Sequence, residues 1–216
     1  MKKYISLVLV ALSGCILTVN AQQSFSYKNP LLPTELRVND LLGRMTLEEK
    51  IAQIRHLHSW DVFDGQILNQ EKLDKMCGGI GYGFFEGFPL TAASCRKTFR
   101  EIQTYMVEKT RLGIPGFPVA ESLHGVVHEG TTIYPQNIAM GSTFNPELIE
   151  RMTDAAGKEA AAMGIHQVLS PVFDIARELR WGRVEETYGE DPFLISEMGI
   201  GFVKGYQKHQ ITCTPK

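Results

Sequence analysis

The most polar stretch of the chain, Arg180 to Pro192, contains two arginines, four carboxylates and two aromatic residues within thirteen positions. A guanidinium offers several N–H donors in a fixed fork, and carboxylates accept hydrogen bonds from adjacent hydroxyl groups. Glycines interrupt the stretch, and Asp191-Pro192 at its end is a typical helix start. The composition predicts a loop that binds a polyhydroxylated or charged ligand, and we interpret it as a sugar-binding loop.

The acidic residues of this loop raise the question of hydrolysis, because glycosides are commonly cleaved by two carboxyl groups about 5 to 9.5 Å apart. The candidates are Glu185, Glu186, Glu190 and Asp191. Carboxylates that cluster beside arginines more commonly serve in ion pairs than in catalysis. We therefore interpret Glu186 as the partner that orients Arg183, whose other N–H groups then remain for vicinal hydroxyls. This loop is expected to bind a sugar rather than to cleave it.

A second candidate for ligand binding is Glu121, which begins the segment Glu121 to Gly125 after a predicted strand. A carboxylate at a strand end accepts hydrogen bonds from two adjacent sugar hydroxyls more strongly than a neutral side chain does. A capping or salt-bridging role is the alternative for this glutamate. His124 and His128 are four residues apart, but they do not form the His-Glu-x-x-His motif, so we expect no metal site.

Composition and motifs disfavour several other classes of function. The formal net charge of −2 argues against sequence-independent binding to phosphate backbones, so we expect no nucleic-acid partner. The glycines of Gly79 to Gly83 lack the spacing and the lysine of nucleotide-binding loops, and no Gly-x-Ser-x-Gly elbow supports an esterase. Cys77, Cys95 and Cys213 lack metal-ligand spacing, and we interpret them as buried thiols.

Helix and strand signals alternate along the chain. The predicted strands are Gly79 to Phe85, Phe117 to Ala120, Gln167 to Phe173 and Ile211 to Lys216. Helices are expected after the capping box at Thr46, over Thr91 to Arg111, and after Asn145-Pro146 and Asp191-Pro192. Strands that alternate with helices predict right-handed crossovers and a parallel sheet.

The positions of the candidate residues discriminate between two parallel-sheet folds. Glu121, Asp174 and Lys216 each lie at the carboxyl end of a predicted strand, where barrel enzymes place their binding groups. An open doubly wound sheet would concentrate such residues at one switch point. The sequence therefore favours an α/β fold of the incomplete (β/α)8 TIM-barrel type, with three to four βα units and extra N-terminal helices.

The first 21 residues are typical of an export signal, with a basic start, an apolar run from Tyr4 to Val19 and a small residue, Ala21, at the cleavage position. We expect residues 22–35 to form a lead-in segment, residues 36–216 to form the barrel segment, and the protein to be periplasmic or secreted. Leu12 to Cys15 also resembles a lipobox, so contact with a membrane is expected only if Cys15 carries a lipid.

Several motifs occur in one order between Leu36 and the last residue: Arg44 to Lys50, Glu121 to Gly125, Tyr134-Pro135, Ser170 to Asp174, Arg180 to Pro192, and Lys216. In this order they resemble the N-terminal domain of family 3 glycoside hydrolases. The resemblance implies a (β/α)8 barrel domain and the retaining, exo-acting removal of a β-linked sugar from the non-reducing end. It implies no metal and no organic cofactor.

The resemblance also assigns roles to single residues. Glu121 would hold hydroxyls on the non-reducing side of the sugar, Arg183 would bind neighbouring hydroxyls, and Lys216 would be the lysine of the family's Lys-His pair. The family nucleophile is an aspartate on a later barrel strand, and the acid/base usually comes from the following domain. Neither maps onto a residue of this chain, so we assign no catalytic residue and expect a C-terminally truncated fragment that is inactive alone.

Two questions stay open at the level of sequence. Many β-glucosidases of the family have aspartate at the position of Glu121, and the extra methylene would favour β-xylosides by about 1–3 kcal/mol at most, so both activities are retained. Two other functions are also compatible with the residues. One is a non-catalytic carbohydrate-binding protein completed by a partner chain, and the other is an unrelated sugar-handling barrel enzyme whose carboxylate pair lies within these residues.

Overall fold

A computed structural model describes residues 26–86 and 91–216, except for the side chain of Ser59. The leader expected over residues 1–21, including Cys15, lies outside the described residues. The chain divides into two compact units, Met1–Met45 and Thr46–Lys216. In the first unit a 3-10 turn, Ser26–Lys28, precedes helix α1, Thr34–Arg44, and the Tyr27 amide donates a hydrogen bond to Asp40 of that helix at 3.0 Å.

The second unit alternates helices and strands. Its helices are α2 (Leu47–Ala52), α3 (Ser59–Val62), α4 (Gln70–Cys77), α5 (Ala92–Lys109), α6 (Asn137–Gly141), α7 (Pro146–Met163) and α8 (Pro192–Gln207). Its strands are β1 (His56–His58), β2 (Phe63–Asp64), β3 (Ile67–Leu68), β4 (Phe84–Glu86), β5 (Phe117–Ala120), β6 (Gln167–Val168) and β7 (Thr212–Cys213). A 3-10 turn, Val184–Glu186, lies between β6 and α8.

Five of these strands form one parallel sheet in the order β1-β4-β5-β6-β7, and β2 and β3 form a separate antiparallel pair. Within the large sheet, each strand pairs with the strand of that sheet that comes next along the chain, and at least one helix lies in every connection. The predicted α/β fold with a parallel sheet is confirmed. Over the described residues the sheet is open and does not close into a barrel.

Within the described part of the chain, the sheet contains five strands, whereas the sequence predicted three to four. The additional strand is β1, which pairs with β4 so that His56 lies opposite Phe84 and His58 opposite Glu86. The strand predicted over Gly79 to Phe85 begins later, because Gly79 and Gly81 have positive φ angles and form a turn before β4. The sheet therefore begins earlier in the chain than its apolar pattern indicates.

The predicted helix starts are confirmed, because local side chains satisfy the first free amides. The Thr46 hydroxyl accepts a hydrogen bond from the Glu49 amide at 3.2 Å, and the Glu49 carboxylate accepts one from the Thr46 amide at 2.9 Å. Asn145 and Asp191 each accept a hydrogen bond from the amide three residues later, at 3.0 and 2.9 Å. These caps fix the starts of α2, α7 and α8.

Helices pack against one face of the sheet. Leu57, Phe85 and Val168 are fully buried there, in a core shared with residues of α5, α7 and α8. Helices α7 and α8 approach each other closely, because a Cβ atom at Gly205 would lie only 2.6 Å from the carbonyl oxygen of Glu150. A side chain at that position would push the two helices apart.

The three cysteines of the described residues are free thiols, as expected: Cys77 and Cys95 are buried and Cys213 is half-buried. Burial raises the pKa of each thiol to about 12, so all three remain protonated at neutral pH. Among the helices that the structure describes, none combines the length and the apolar character that a membrane span requires.

Candidate sugar-binding site

The carboxyl ends of β5, β6 and β7 meet at one edge of the sheet, because Ala120 is paired with Val168 and Val168 with Cys213. Glu121 follows β5 directly, and Lys216 lies shortly after β7. The Lys216 ammonium donates to both carboxylate oxygens of Glu121, at 3.1 and 3.3 Å. Two of the predicted site residues are therefore in direct contact, although 95 positions separate them in the chain.

Arg183 belongs to the same charged group. Its Nε and Nη2 atoms donate to the two carboxylate oxygens of Glu186, at 2.8 and 2.5 Å. This paired hydrogen bond raises the pKa of Arg183, and the negative charges of Glu121 and Asp174 add to the rise. Arg183 in turn lowers the pKa of the Glu186 carboxyl, with a smaller contribution from the Lys216 ammonium. Arg183 thus interacts electrostatically with Glu121, and Lys216 with Glu186, so the three predicted site residues belong to one charged cluster.

The exposure of these side chains leaves polar atoms available to a ligand. Glu121 is 56% exposed, Arg183 48% and Lys216 34%, whereas Glu186 is only 18% exposed. A guanidinium has five N–H donors, and the pairing with Glu186 uses two of them. A carboxylate has about four acceptor sites. The cluster is therefore equipped to hydrogen-bond several hydroxyls of a neutral polyol at once.

The short helix α6 supports the loop that carries Arg183. The side-chain amide of Asn137, which is fully buried, donates to the carbonyl oxygen of Glu186 at 2.9 Å. A Cβ atom at Gly141 would lie 2.3 Å from the carbonyl oxygen of Tyr188, so the loop rests directly on the helix backbone. Sequence analysis did not identify Asn137 or Gly141 as supporting residues, since neither stands in a recognisable pattern with the arginine.

A cleft of about 590 Å³ lies beside Glu121. Its other wall is built at the ends of β1 and β4 by His58, Trp60 and Glu86. The Trp60 indole is 70% exposed and stacks on the His58 ring, with 4.3 Å between the ring centroids and 10° between the planes. The Nδ1 atoms of His56 and His58 lie 3.0 and 3.4 Å from one carboxylate oxygen of Glu86. The cleft thus combines an aromatic platform with polar groups.

These residues were missed because β1 itself was missed. The available signal was the alternation of His56, Leu57 and His58, in which the middle residue is fully buried and its neighbours point to the opposite face of the sheet. Three residues are too few for such an alternation to predict a strand by itself.

The histidines after β5 fix a loop. The Nδ1 atom of His124 lies 2.8 Å from the carbonyl oxygen of Tyr134, which closes the loop, and His128 lines the cleft. Within residues 26–86 and 91–216, no three His, Cys, Asp or Glu side chains form a group that could hold a metal ion.

Two other polar residues of the predicted binding loop have structural partners. Asp191 caps α8 through the Leu194 amide, at 2.9 Å. Arg180 pairs with Glu178 through two hydrogen bonds, at 2.8 and 2.7 Å, and is 89% exposed. The hydrogen bonds to Glu178 raise the pKa of Arg180, and no group of the Glu121, Arg183 and Lys216 cluster contributes to the rise.

The parallel sheet and its polar carboxyl edge agree with the family resemblance. The family described as "Glycosyl hydrolase family 3 N terminal domain" matches residues 46–216. The chain therefore belongs to this family of glycosyl hydrolases.

Particular relatives are similar over most of the chain. A putative beta-xylosidase of Formosa agariphila is 35% identical over 190 residues, which are 86% of this chain and 25% of the relative. A beta-glucosidase of Erythrobacter marinus has a solved structure with a TM-score of 0.77 and 30% identity, covering 90% of this chain and 27% of that one. A beta-glucosidase of Listeria innocua, solved in complex with glucose, has a TM-score of 0.68 and 32% identity, covering 84% of this chain and 26% of that one. The chain thus spans about a quarter of the length of these relatives.

Proposed function

We propose that this chain is the N-terminal, sugar-binding portion of an exo-acting, retaining β-glycosidase that acts on β-glucosides or β-xylosides. The observation that carries the proposal is the contact between Glu121 and Lys216 at the sheet edge, with Arg183 in the same charged cluster. The relatives named as a beta-xylosidase and as beta-glucosidases support both substrate classes.

In the proposed mechanism the cluster holds the terminal sugar. Glu121 accepts hydrogen bonds from hydroxyls on its non-reducing side, and Arg183 and Lys216 donate to neighbouring hydroxyls. Orientation by several charge-assisted hydrogen bonds places the anomeric carbon in a fixed position, which lowers the barrier to attack by pre-organisation. By the family resemblance, the nucleophile and the acid/base would come from outside these residues, so in this proposal the chain supplies binding and orientation.

The test uses the product of the complete open reading frame that contains this chain. We expect kcat/KM for aryl β-glucoside or aryl β-xyloside to fall roughly 10- to 100-fold in Arg183→Lys, because lysine cannot reproduce the planar fork that pairs with Glu186 and with two hydroxyls. Arg180→Lys is the matched control, since Arg180 has the same paired contact with a glutamate outside the cluster. Equal activity of the two variants, or no hydrolysis of either glycoside by the wild type, would contradict the proposal.

We also propose that the protein is exported, on the basis of the basic and apolar pattern of residues 1–21. Fractionation of producing cells and N-terminal sequencing of the recovered protein test this. A mature terminus after Ala21 supports ordinary cleavage, a lipid on Cys15 supports a lipoprotein, and a cytoplasmic protein that keeps Met1 contradicts export.

A further inference from the structure

Three hydroxyl groups are buried next to the charged cluster, and none of them is part of it. They belong to Ser122, which follows Glu121, to Ser170, which lies two residues after β6, and to Tyr206 of α8. All three residues are fully buried. Because unpaired polar groups are costly inside a protein, their hydrogen bonds must be made with one another or with the backbone.

The three hydroxyls are linked in one chain of hydrogen bonds that runs through the carbonyl and hydroxyl oxygens of Ser122. The Ser170 hydroxyl donates to the carbonyl oxygen of Ser122 at 3.0 Å. The hydroxyls of Ser122 and Tyr206 are 2.5 Å apart, and the Tyr206 hydroxyl also lies 3.4 Å from the Ser122 carbonyl oxygen. Burial raises the pKa of Tyr206, so its phenol remains protonated and able to donate.

The hydrogen bonds of these three hydroxyls begin where the backbone ladder between β5 and β6 ends. The ladder continues to the hydrogen bond from the Leu169 amide to the Ala120 carbonyl, at 3.0 Å. One residue beyond Leu169 and two residues beyond Ala120, the link between Ser170 and Ser122 replaces the backbone pairing. The side chain of Glu121 is therefore carried by a backbone that is held on one side by the ladder and on the other side by these hydroxyls.

The segment of residues 170–173 also holds the backbone of Lys216. The Lys216 amide donates to the Pro171 carbonyl at 3.0 Å, and the Phe173 amide donates to the Lys216 carbonyl at 2.5 Å. Residues 170–173 thus connect the backbone beside Glu121, through Ser170, to the backbone of Lys216. A shift of this segment would change the separation of the two charged side chains.

We propose that Ser170 and Tyr206 are positioning residues for the sugar-binding pair, which they serve by fixing the backbone that carries Glu121 relative to the backbone that carries Lys216. This inference rests on the proposed function, because it assigns the purpose of the hydroxyl chain to binding of the sugar. If the hydroxyls only satisfied one another in the core, their loss would lower stability and leave substrate recognition unchanged.

The test compares Ser170→Ala and Tyr206→Phe with wild type in the product of the complete open reading frame. Misplacement of a binding group by about 1 Å costs up to roughly 100-fold in rate. Each variant removes only part of the hydrogen bonding among Ser122, Ser170 and Tyr206, so we expect a smaller effect, a fall in kcat/KM of about tenfold. The variants should also show a smaller preference for the parent aryl glycoside over analogues that lack one hydroxyl on the non-reducing side of the sugar. Loss of that preference is specific to the binding pair, because general destabilisation affects both substrates equally.

The matched control is Thr153→Val. Thr153 is fully buried on α7, and its hydroxyl donates to the Ile149 carbonyl of the same helix at 2.9 Å, so it takes no part in the hydrogen bonds of Ser122, Ser170 and Tyr206. This variant should lose thermal stability as the test variants do, while kcat/KM and the preference for the parent glycoside remain at the wild-type values. All assays are run well below the melting temperature of the least stable variant.

Wild-type kcat/KM and wild-type preference in both test variants would overturn the inference. If Ser170→Ala does not fold, Tyr206→Phe decides, since it removes a single oxygen atom. If the wild type hydrolyses no aryl glycoside, the proposed function fails and crystal structures of the variants decide the inference instead. A Glu121–Lys216 separation that stays near 3.1 Å would overturn it, and a separation beyond hydrogen-bond distance would support it.

Discussion

Replacing Glu121 by aspartate tests the importance of side-chain length in the contact with Lys216. The substitution withdraws the carboxylate by one C–C bond, about 1.5 Å. In the structure the Lys216 Nζ atom lies 3.1 and 3.3 Å from the two carboxylate oxygens, so in Glu121→Asp the contact should exceed ordinary hydrogen-bond distance. The withdrawn carboxylate also frees the volume of one methylene group at the end of β5.

The freed volume should change the choice between hexosides and pentosides. A methylene in a binding pocket discriminates by about 1–3 kcal/mol, which is roughly 10- to 200-fold in kcat/KM. Because Glu121 is 56% exposed, we expect a change near the lower end, about tenfold. The ratio of kcat/KM for aryl β-glucoside to that for aryl β-xyloside should therefore rise about tenfold, since the hydroxymethyl group of the hexose gains space.

The control is Glu121→Gln, which keeps the length of the side chain and removes its charge. It should lower kcat/KM for both glycosides by a similar factor, because a neutral amide accepts hydroxyl hydrogen bonds less strongly. Steady-state kinetics on aryl β-glucoside and aryl β-xyloside give the ratio of the two kcat/KM values for each variant. An unchanged ratio in Glu121→Asp, or an equal change in Glu121→Gln, would refute the argument that the methylene limits the pocket.

Two further substitutions test the scaffold. Glu49→Gln should lower the free energy of unfolding at pH 7 by about 1.5–3 kcal/mol, measured by urea titration, because it weakens the charged hydrogen bonds of a buried carboxylate. The control is Glu48→Gln, at an exposed position, which should change the free energy of unfolding by less than about 0.5 kcal/mol. Hydrogen bonding lowers the pKa of Glu49 in the folded protein. The loss of unfolding free energy in Glu49→Gln, relative to wild type, should therefore be complete above about pH 4.3, the ordinary pKa of glutamate. This loss should shrink as the pH falls through the lowered pKa of Glu49 in the fold. Gly141→Ala should destabilise by about 1–3 kcal/mol in thermal unfolding, because the new methyl group meets the Tyr188 carbonyl, whereas Gly182→Ala has open space and should be nearly neutral. An equal loss of stability in a test variant and its control, for either the glutamate pair or the glycine pair, would contradict the reasoning.

The parts of the fold that the sequence predicted are those decided by neighbouring residues. The capping box at Thr46 and the Asn-Pro and Asp-Pro helix starts depend on amides three positions away, so their chemistry is visible in the sequence. Strand β1 was missed because its pairing partner, β4, lies 28 positions further on in register, between His56 and Phe84. A three-residue strand carries too little pattern to indicate such a partner.

The candidate site shows the same division. Convergence of Glu121 and Lys216 could be predicted, because both follow strands whose carboxyl ends share one edge of a parallel sheet. Their direct contact could not, since it depends on how residues 170–173 join the two strand ends. The support of the Arg183 loop by Asn137 was equally hidden, because a buried asparagine in a short helix carries no sign of the carbonyl that it will meet.

The energetics of the charged cluster indicate where its effects should be measured. Exposed ion pairs contribute about 0–1 kcal/mol to folding, and Glu121 and Lys216 are 56% and 34% exposed. A pair this weak does not by itself hold two long side chains in one arrangement, so the order has to come from the backbone on either side. That backbone is held by the hydrogen bond from the Ser170 hydroxyl to the Ser122 carbonyl and by the one from the Lys216 amide to the Pro171 carbonyl. Substitutions of the charged residues should consequently affect substrate discrimination far more than the free energy of unfolding.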